Sequence, residues 1–301
     1  MAVGYLGAPA TPTVDRVRRT VALLRRRGFA VTPSRLAAMC LGGPLSEAEV
    51  EWAVAASPDL TIFEALVLDR HAVSDAGSIR SRAVGHAAES GAYVAMTLDF
   101  VRTLVAAAPF IRGVSIAGSL ASGGFRASDD VDLNLIVDDG HRHLAYVVVN
   151  FLGLAHALRH RAKPVDDLTR RPIAPRLMTA NLILERSQCL PLQRNDEDMA
   201  FEFLIGEPVF GLDAIAEIFD ANPTLLEHFP QLAVKTASFA IDTPRRLPKG
   251  LFPPILDRPA RALGLAAWRY MQWTRRHRPE ALARVAYVRS TMLPYTLFDA
   301  S

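Results

Sequence analysis

The chain is 301 residues long and half of them are hydrophobic, with 34 Lys and Arg set against 31 Asp and Glu for a formal charge of +3. So much apolar material builds a substantial core and excludes wholesale disorder, and the length suits two or three domains. Only three of the cations are lysines, so the pI near 9.1 is arginine's doing; a net charge this small excludes a general polyanion-binding character. Cys40 and Cys189 lie far apart without metal-ligand spacing and read as small buried hydrophobes in a reducing compartment. The opening residues lack the apolar core of a signal peptide, with arginines starting at Arg16. The most apolar run, Leu144 to Leu158, is short and broken by Asn150 and His156, so no membrane span is predicted. The expectation is a soluble, cytoplasmic protein.

Met1 to Pro12 reads as a flexible lead. Thr13 is placed to cap a helix whose Val14, Val17, Val21 and Leu24 keep helical spacing, with Gly28 as its stop. Thr32-Pro33 opens a second short helix through Cys40, which Gly42-Gly43-Pro44 breaks. Ser46 with Glu49 forms a capping box ahead of a third helix carrying Val50, Trp52 and Val54. Leu60 to Leu68 is a strand-like run. Three short helices and strand character suggest a winged-helix or helix-turn-helix unit over 1–75. Arg16, Arg18, Arg19, Arg25, Arg26, Arg27 and Arg35 would favour phosphates, but the candidate recognition helix carries Glu47, Glu49 and Glu51, where base readers bring Arg, Lys, Asn or Gln. A helical cap packed on a catalytic domain is preferred to a DNA reader.

Arg80 to Ala108 reads as a helix with an apolar stripe, Tyr93, Met96, Phe100 and Leu104, and Pro109 just past its end. It leads into Val114 to Val137, VSIAGSLASGGFRASDDVDLNLIV, where the chemistry concentrates. A strand, Val114 to Ala117, meets Gly118-Ser119; a small polar stretch with Gly123-Gly124 follows, then Asp130-Val131-Asp132-Leu133. Side chains alternate along a strand, so Asp130 and Asp132 share one face while Val131, Leu133 and Leu135 point to a core. Two adjacent carboxylates repel unless a cation lies between them, and hard oxygen ligands suit Mg²⁺. The Gly-Ser turn exposes backbone N–H groups to an anion. The competing reading is a hairpin or βα unit with a solvated acidic edge.

Asp138-Asp139-Gly140 makes a turn before an apolar helix, Arg142 to Leu158. Arg159 to Arg176 is a polar loop with Arg159, Arg161, Lys163, Arg170, Arg171 and Arg176 among Asp166 and Asp167. Its cations could grip a triphosphate or simply pair with its own acids. Leu177 to Leu184 is the next strand, closed by Glu185-Arg186. Asn195 is placed to cap a helix whose first turn holds Asp196, Glu197 and Asp198, a structural cluster. Gly206-Glu207-Pro208 interrupts, and Gly211 starts a helix through Phe219. Prolines recur from Asn222 to Pro259, with Leu232 to Ile241 resembling a helix. Arg258 to Arg276 is helical, and its Trp268, Tyr270 and Trp273 read as core beneath an arginine-rich solvent side rather than as a base-stacking face. No internal repeat stands out.

Apolar strand, Gly118-Ser119, ten residues and Asp130-Val131-Asp132-Leu133 together resemble the nucleotidyltransferase superfamily of DNA polymerase β and the aminoglycoside nucleotidyltransferases. With Arg112-Gly113-Val114, Glu207-Pro208-Val209-Phe210-Gly211 and Ala221-Asn222, the pattern is similar to a bacterial group that carries a winged-helix-like segment ahead of the catalytic domain. The resemblance implies an α+β fold, a mixed sheet flanked by helices, with a catalytic domain over 76–212 and a helical region over 213–301. It implies transfer of an NMP from an NTP to an acceptor, with Mg²⁺ or Mn²⁺ held by Asp130 and Asp132; the small net charge favours a small molecule, an anionic one included, over a polymer end, with RNA and protein acceptors left open. Gly118, Ser119, Ser128 and Arg126 would bind the nucleotide, with Lys163 near the acceptor. The superfamily's third carboxylate is expected on the next strand, where this chain has the amide Asn181. Glu185, Asp166 or Asp167 could replace it, or the acceptor could arrive ionised. The rival readings are a DNA-binding regulator that senses a nucleotide, and a degenerate domain that serves as an assembly partner.

Overall fold

The computed structural model describes residues 12–164, 177–274 and 276–298. The lead predicted over 1–12 lies outside them except for Pro12, as do Asp166, Asp167, Arg170, Arg171 and Arg176 of the arginine-rich loop. In chain order the elements are α1 (Thr13–Arg26), α2 (Pro33–Ala38), α3 (Glu47–Ala56), β1 (Leu60–Phe63), β2 (Leu66–Asp69), α4 (Ala76–Ala107), β3 (Ile111–Ala117), α5 (Gly118–Ser122), β4 (Val131–Val137) and α6 (Arg142–Ala157). There follow β5 (Met178–Glu185), α7 (Arg186–Cys189), α8 (Glu197–Ile205), β6 (Glu207–Phe210), α9 (Leu212–Ala221), α10 (Pro223–His228), α11 (Asp257–Thr274) and α12 (Pro279–Thr291). The fold is α+β. No helix among the described residues is long and apolar enough to cross a membrane.

Contacts group the chain into two units. One unit comprises Met1–Ala83, Asp196–Leu204 and Pro223–Lys235, the other Val84–Asn195, Ile205–Asn222 and Thr236–Ser301.

In the first unit, α1 buries Val17, Val21, Leu23 and Leu24. Thr13 begins the helix directly after Pro12 instead of capping it. The Thr32 hydroxyl accepts from the Arg35 N–H, and α2 ends at Ala38, short of Cys40. The Ser46–Glu49 capping box forms in both directions, at 3.2 and 2.7 Å. The run from Leu60 to Leu68 is two antiparallel strands, joined at Glu64 and Ala65 with φ of 49° and 64°. A two-residue hairpin turn of the I′ type needs positive φ at both positions; neither residue is the usual Gly or Asn, so the turn escapes a reading of sequence.

The arginines of this unit meet acids and carbonyls within it. Arg26 and Arg27 reach Asp198 at 2.5 and 3.2 Å, Arg25 reaches Asp69 at 2.6 Å, and Arg19 pairs with Glu197. The Arg16 guanidinium donates to the carbonyls of Leu41 and Gly43. Exposed pairs stabilise little, typically less than about 1 kcal/mol, but they cancel charge. The cap of α8 is Asp196, whose Oδ1 accepts from the Met199 N–H at 2.9 Å, and not Asn195. Instead of a helix from Leu232 to Ile241 there is a 3₁₀ turn, Pro230–Val234, followed by irregular chain. The Lys235 ammonium there donates to the Phe203 carbonyl at 2.9 Å.

The second unit is built on a sheet of order β5-β4-β3-β6, with β3 antiparallel to β4 and β6, and β4 parallel to β5. Val114, Ile116, Val131, Leu133 and Leu135 are buried with Phe100, Val101, Leu104 and Val105 of α4 and Ala145 and Val149 of α6. The other sheet face carries Ser115, Asp132 and Asn134, all half-buried. Strand β6, which reads as an interruption in sequence, lies at the sheet edge, where Pro208 need not donate to a ladder. Gly211 then turns the chain into α9 with φ +70°, its α-carbon so near the Arg112 carbonyl that a Cβ would lie 1.8 Å away.

Trp268 of α11 is half-buried beneath Arg289, but the other two aromatics of the helix are not core. Tyr270 and Trp273 are 66% and 57% exposed and stack on each other, and Arg276 lies over the Trp273 ring at 4.2 Å. The buried side of α11 is made instead by Ala260 and Gly264; Gly264 admits the rings of Phe298 and Tyr146. Small residues permit the close approach of α11 to α6 that a Trp would block. Asp257, the first residue of α11, caps α6: its carboxylate accepts from the Leu144 N–H at 2.8 Å and from His143 Nδ1 at 2.7 Å. Burial pushes this carboxyl up, but the hydrogen bonds from the His143 side chain and the Leu144 N–H outweigh it and hold the group below the usual aspartate range. A depressed folded pKa gives stability that is present above the unfolded value and lost as pH falls through the folded one. Asp257→Ala is therefore expected to cost about 1–2 kcal/mol at neutral pH. The gap between the two proteins in urea titrations should close as pH drops below the ordinary aspartate range.

Candidate functional site

The polar end of the sheet is assembled by register. Ala117, the last residue of β3, pairs with Asp132 on β4, and Asp132 pairs with Thr179 on β5. After Ala117 the chain turns at Gly118 with φ +61° into the short helix α5, which Gly123 ends at φ 100°. A Cβ on Gly118 would lie 2.2 Å from Asp132 Oδ2. The turn and the aspartate thus occupy one another's space, and only glycine fits by both conformation and volume.

Strand alternation sets the polarity of β4. Val131 and Leu133 are fully buried, whereas Asp130, Asp132 and Asn134 are half-buried. The Thr179 hydroxyl donates to Asp132 Oδ1 at 2.8 Å and orients the carboxylate. One step along the same face, Asn181 Nδ2 donates to Asn134 Oδ1 at 2.9 Å. The return loop is tied by Asp129, whose Oδ2 accepts from the Ser119 hydroxyl at 3.2 Å and the Arg126 backbone N–H at 3.0 Å. Asp129 and Thr179 were not singled out by sequence. Asp129 precedes a stronger Asp-x-Asp signal, and Thr179 acquires its role only by lying across from Asp132.

The residues singled out by sequence do not all converge. Gly118, Ser119 and Asp132 meet at this corner, and Lys163 is close enough to Asp130 and Asp129 to feel their charge. Burial pushes the Lys163 ammonium down, while Asp130 and Asp129 hold it up. The Ser119 hydroxyl is engaged with Asp129, the Arg126 side chain is exposed, and Ser128 is half-buried in the loop turn. Glu185 is a correction. It pairs in register with Val137, six residues along β5 from Thr179 and so roughly 20 Å away. Its carboxylate accepts from the Gly140 N–H at 2.8 Å and takes part in the capping box of α7. It serves the far end of the sheet.

Among the described residues no group of three or more His, Cys, Asp or Glu is placed to hold a metal ion. The hard oxygens fixed at the corner are those of Asp132 beside Gly118 and of Asp129 beside Ser119, with Asp130 next to both in the chain. That set fits Mg²⁺, which keeps waters and takes substrate phosphates beside one or two carboxylates, and does not fit a closed all-protein cage. A separate cavity of about 200 Å³ at the other end of the unit is lined by Arg112, Arg186, Cys189, Asp213 and Glu217. Its guanidiniums pair with Asp138 and Glu217, and burial pushes the Cys189 thiol up to about 12, which makes it a poor nucleophile. No protein family, curated protein or solved structure matches the chain.

Proposed function

We propose that the chain is a metal-dependent nucleotidyltransferase that moves an NMP from an NTP to a small-molecule acceptor and releases pyrophosphate. The supporting observation is the packing of Asp132 against Gly118, with the Asp130 carboxylate two residues before it and Thr179 orienting it. Asp130 and Asp132 would hold the ion, which would supply charge neutralisation for the phosphates. Gly118, Ser119, Ser128 and Arg126 take the triphosphate side, with the loop held in place by Asp129. An acceptor oxygen bonds to the α-phosphorus, the bond from that phosphorus to the α,β-bridging oxygen breaks, and pyrophosphate leaves. Catalysis of this kind is chiefly positioning and electrostatics, which suits a corner rich in carboxylates and cations.

In this reading the sheet is of the nucleotidyltransferase type, and α1 to α3 with the β1–β2 hairpin form a winged-helix-like packing module. The reading leaves DNA out as a partner, supported by the engagement of the α1 arginines with acids and carbonyls inside the unit and by Glu47, Glu49 and Glu51 on α3. The test is a screen of the four NTPs with Mg²⁺ or Mn²⁺ against a cell metabolite extract. Metal-dependent pyrophosphate release with an NMP adduct in the mass spectrum is the expected result. The absence of both with every NTP and both metals would sink the proposal.

A further inference from the structure

A surface helix ordinarily turns its apolar stripe to the core and its polar side to water. Helix α11 is apolar on both. Its inward face is Ala260, Gly264, Trp268 and Met271, buried or half-buried at helical spacing. Its outward face keeps the same period: Pro259, Ala262, Leu263, Ala266, Tyr270 and Trp273 are all exposed. Leu263 is 59% exposed, in line with the two rings. A continuous apolar stripe in water marks a binding surface, where single exposed residues would not. Charge says what covers it. From Arg258 to Pro279 the sequence has six arginines, one histidine and no acid, although the whole chain nets only +3. Asp257, at the start of the helix, is engaged with His143 and the Leu144 N–H. Arg258, Arg261 and Arg269 are exposed on the same helix, and Arg276 lies over the Trp273 ring at 4.2 Å. The occupant must therefore be anionic and must also bury aliphatic surface. A second copy of the chain fails on charge, since a two-fold contact would set these arginines against themselves. A nucleic acid strand fails on the aliphatics. It stacks bases on ring faces, but Arg276 and Tyr270 already lie against Trp273, and Ala262, Leu263 and Ala266 have no ring to offer.

We infer that the outward face of α11 docks on an anionic phospholipid surface. The helix lies in the plane of the headgroups, as basic amphipathic helices with Trp and Leu on one side do. Leu263 and the Trp273 indole enter the boundary of the acyl chains, and the Tyr270 hydroxyl stays at headgroup level. Arg258, Arg261 and Arg269 meet lipid phosphates, whose negative potential draws them in. The protein lies on the bilayer without crossing it. Docking does not rest on the transferase reading, and either can fail without the other.

The test sediments the full-length protein with vesicles of phosphatidylcholine, alone or mixed with phosphatidylglycerol. The protein should pellet with the mixed vesicles and not with phosphatidylcholine alone, and less of it should pellet as salt rises. Lipids brominated on their acyl chains should quench its tryptophan fluorescence, with most of that quenching lost in Trp273→Phe. Trp273→Ala and Leu263→Ser should each weaken partitioning about tenfold, and Arg258→Gln combined with Arg269→Gln should weaken it by on the order of tenfold. Ala266→Leu, on the same stripe, should strengthen it severalfold. All these positions are exposed, so thermal unfolding should be nearly unmoved. No binding to mixed vesicles at low salt overturns the inference, as does binding that none of the variants changes. Two further results overturn it by naming another occupant. One is a labelled oligouridine strand that binds through Trp273 while vesicles do not. The other is a dimer in equilibrium sedimentation that Trp273→Ala disperses, again without vesicle binding.

Discussion

Asp132→Asn is expected to lower NMP transfer by on the order of a thousandfold while the protein stays folded. The substitution removes one negative charge and almost no volume. Its amide oxygen can still accept from the Thr179 hydroxyl, which donates to Oδ1 in the native protein. The loss is therefore electrostatic. A carboxylate that anchors a catalytic cation is responsible for several kcal/mol of charge stabilisation, and each 1.4 kcal/mol or so is a factor of ten in rate. Binding should follow: NTP affinity measured calorimetrically should lose its dependence on Mg²⁺, most completely when Asp130→Asn is combined with it. Thermal unfolding should stay level or rise slightly, since like charges gathered at Asp129, Asp130 and Asp132 repel. Unchanged Mg²⁺-dependent affinity in the folded double variant would remove the basis of the proposed function.

Gly118→Ala should injure both stability and activity although no charge is touched. A non-glycine residue in the left-handed region costs about 1–2 kcal/mol, and Gly118 has φ +61°. The new methyl would also lie 2.2 Å from Asp132 Oδ2, so either the turn shifts or Asp132 swings off Thr179. Losing a hydrogen bond to a charged group adds about 1.5–3 kcal/mol, for a total of roughly 2.5–5 kcal/mol. Activity should fall as far as in Asp132→Asn. The useful control is Gly85→Ala: Gly85 is in α4 with open space around its α-carbon and no positive φ, and the change should be neutral or stabilising by up to about 1 kcal/mol. Because Gly118 and Asp132 share one volume, the penalty of Gly118→Ala should shrink in an Asp132→Ala background. Strict additivity of the two changes in urea unfolding would show that the contact is not what restricts position 118.

Short-range rules carried the reading far wherever one segment decides its own shape. The Ser46–Glu49 box, the proline-bounded α4, the apolar alternation of β4 and the position of Gly118 at a turn all follow from neighbours a few residues apart. Caps were harder. Thr13 and Asn195 are competent residues at plausible positions, but Pro12 and Asp196 took the places because helix starts compete over one or two residues. The four-residue β6 was invisible because a proline in a short apolar stretch argues against a strand unless the strand is known to be at an edge.

What the sequence determined by itself was periodicity: which residues of each strand and helix point together, and hence that Asp132 points away from the core that Val131, Leu133 and Leu135 enter, beside a glycine turn. What only the tertiary structure decided was partnership across long separations. Thr179 rather than Asn181 faces Asp132, because the parallel register of β4 and β5 pairs Val131 with Met178 and so Asp132 with Thr179. Glu185 falls at the opposite end of the same strand and binds Gly140. Tyr270 and Trp273 stay in solvent because α11 turns Ala260 and Gly264 inward instead. Asp198 neutralises arginines more than 170 positions earlier in the chain. Local pattern sets the direction of a side chain, but register and packing set what it meets, and those depend on contacts whose loop-closure entropy and burial no local window contains.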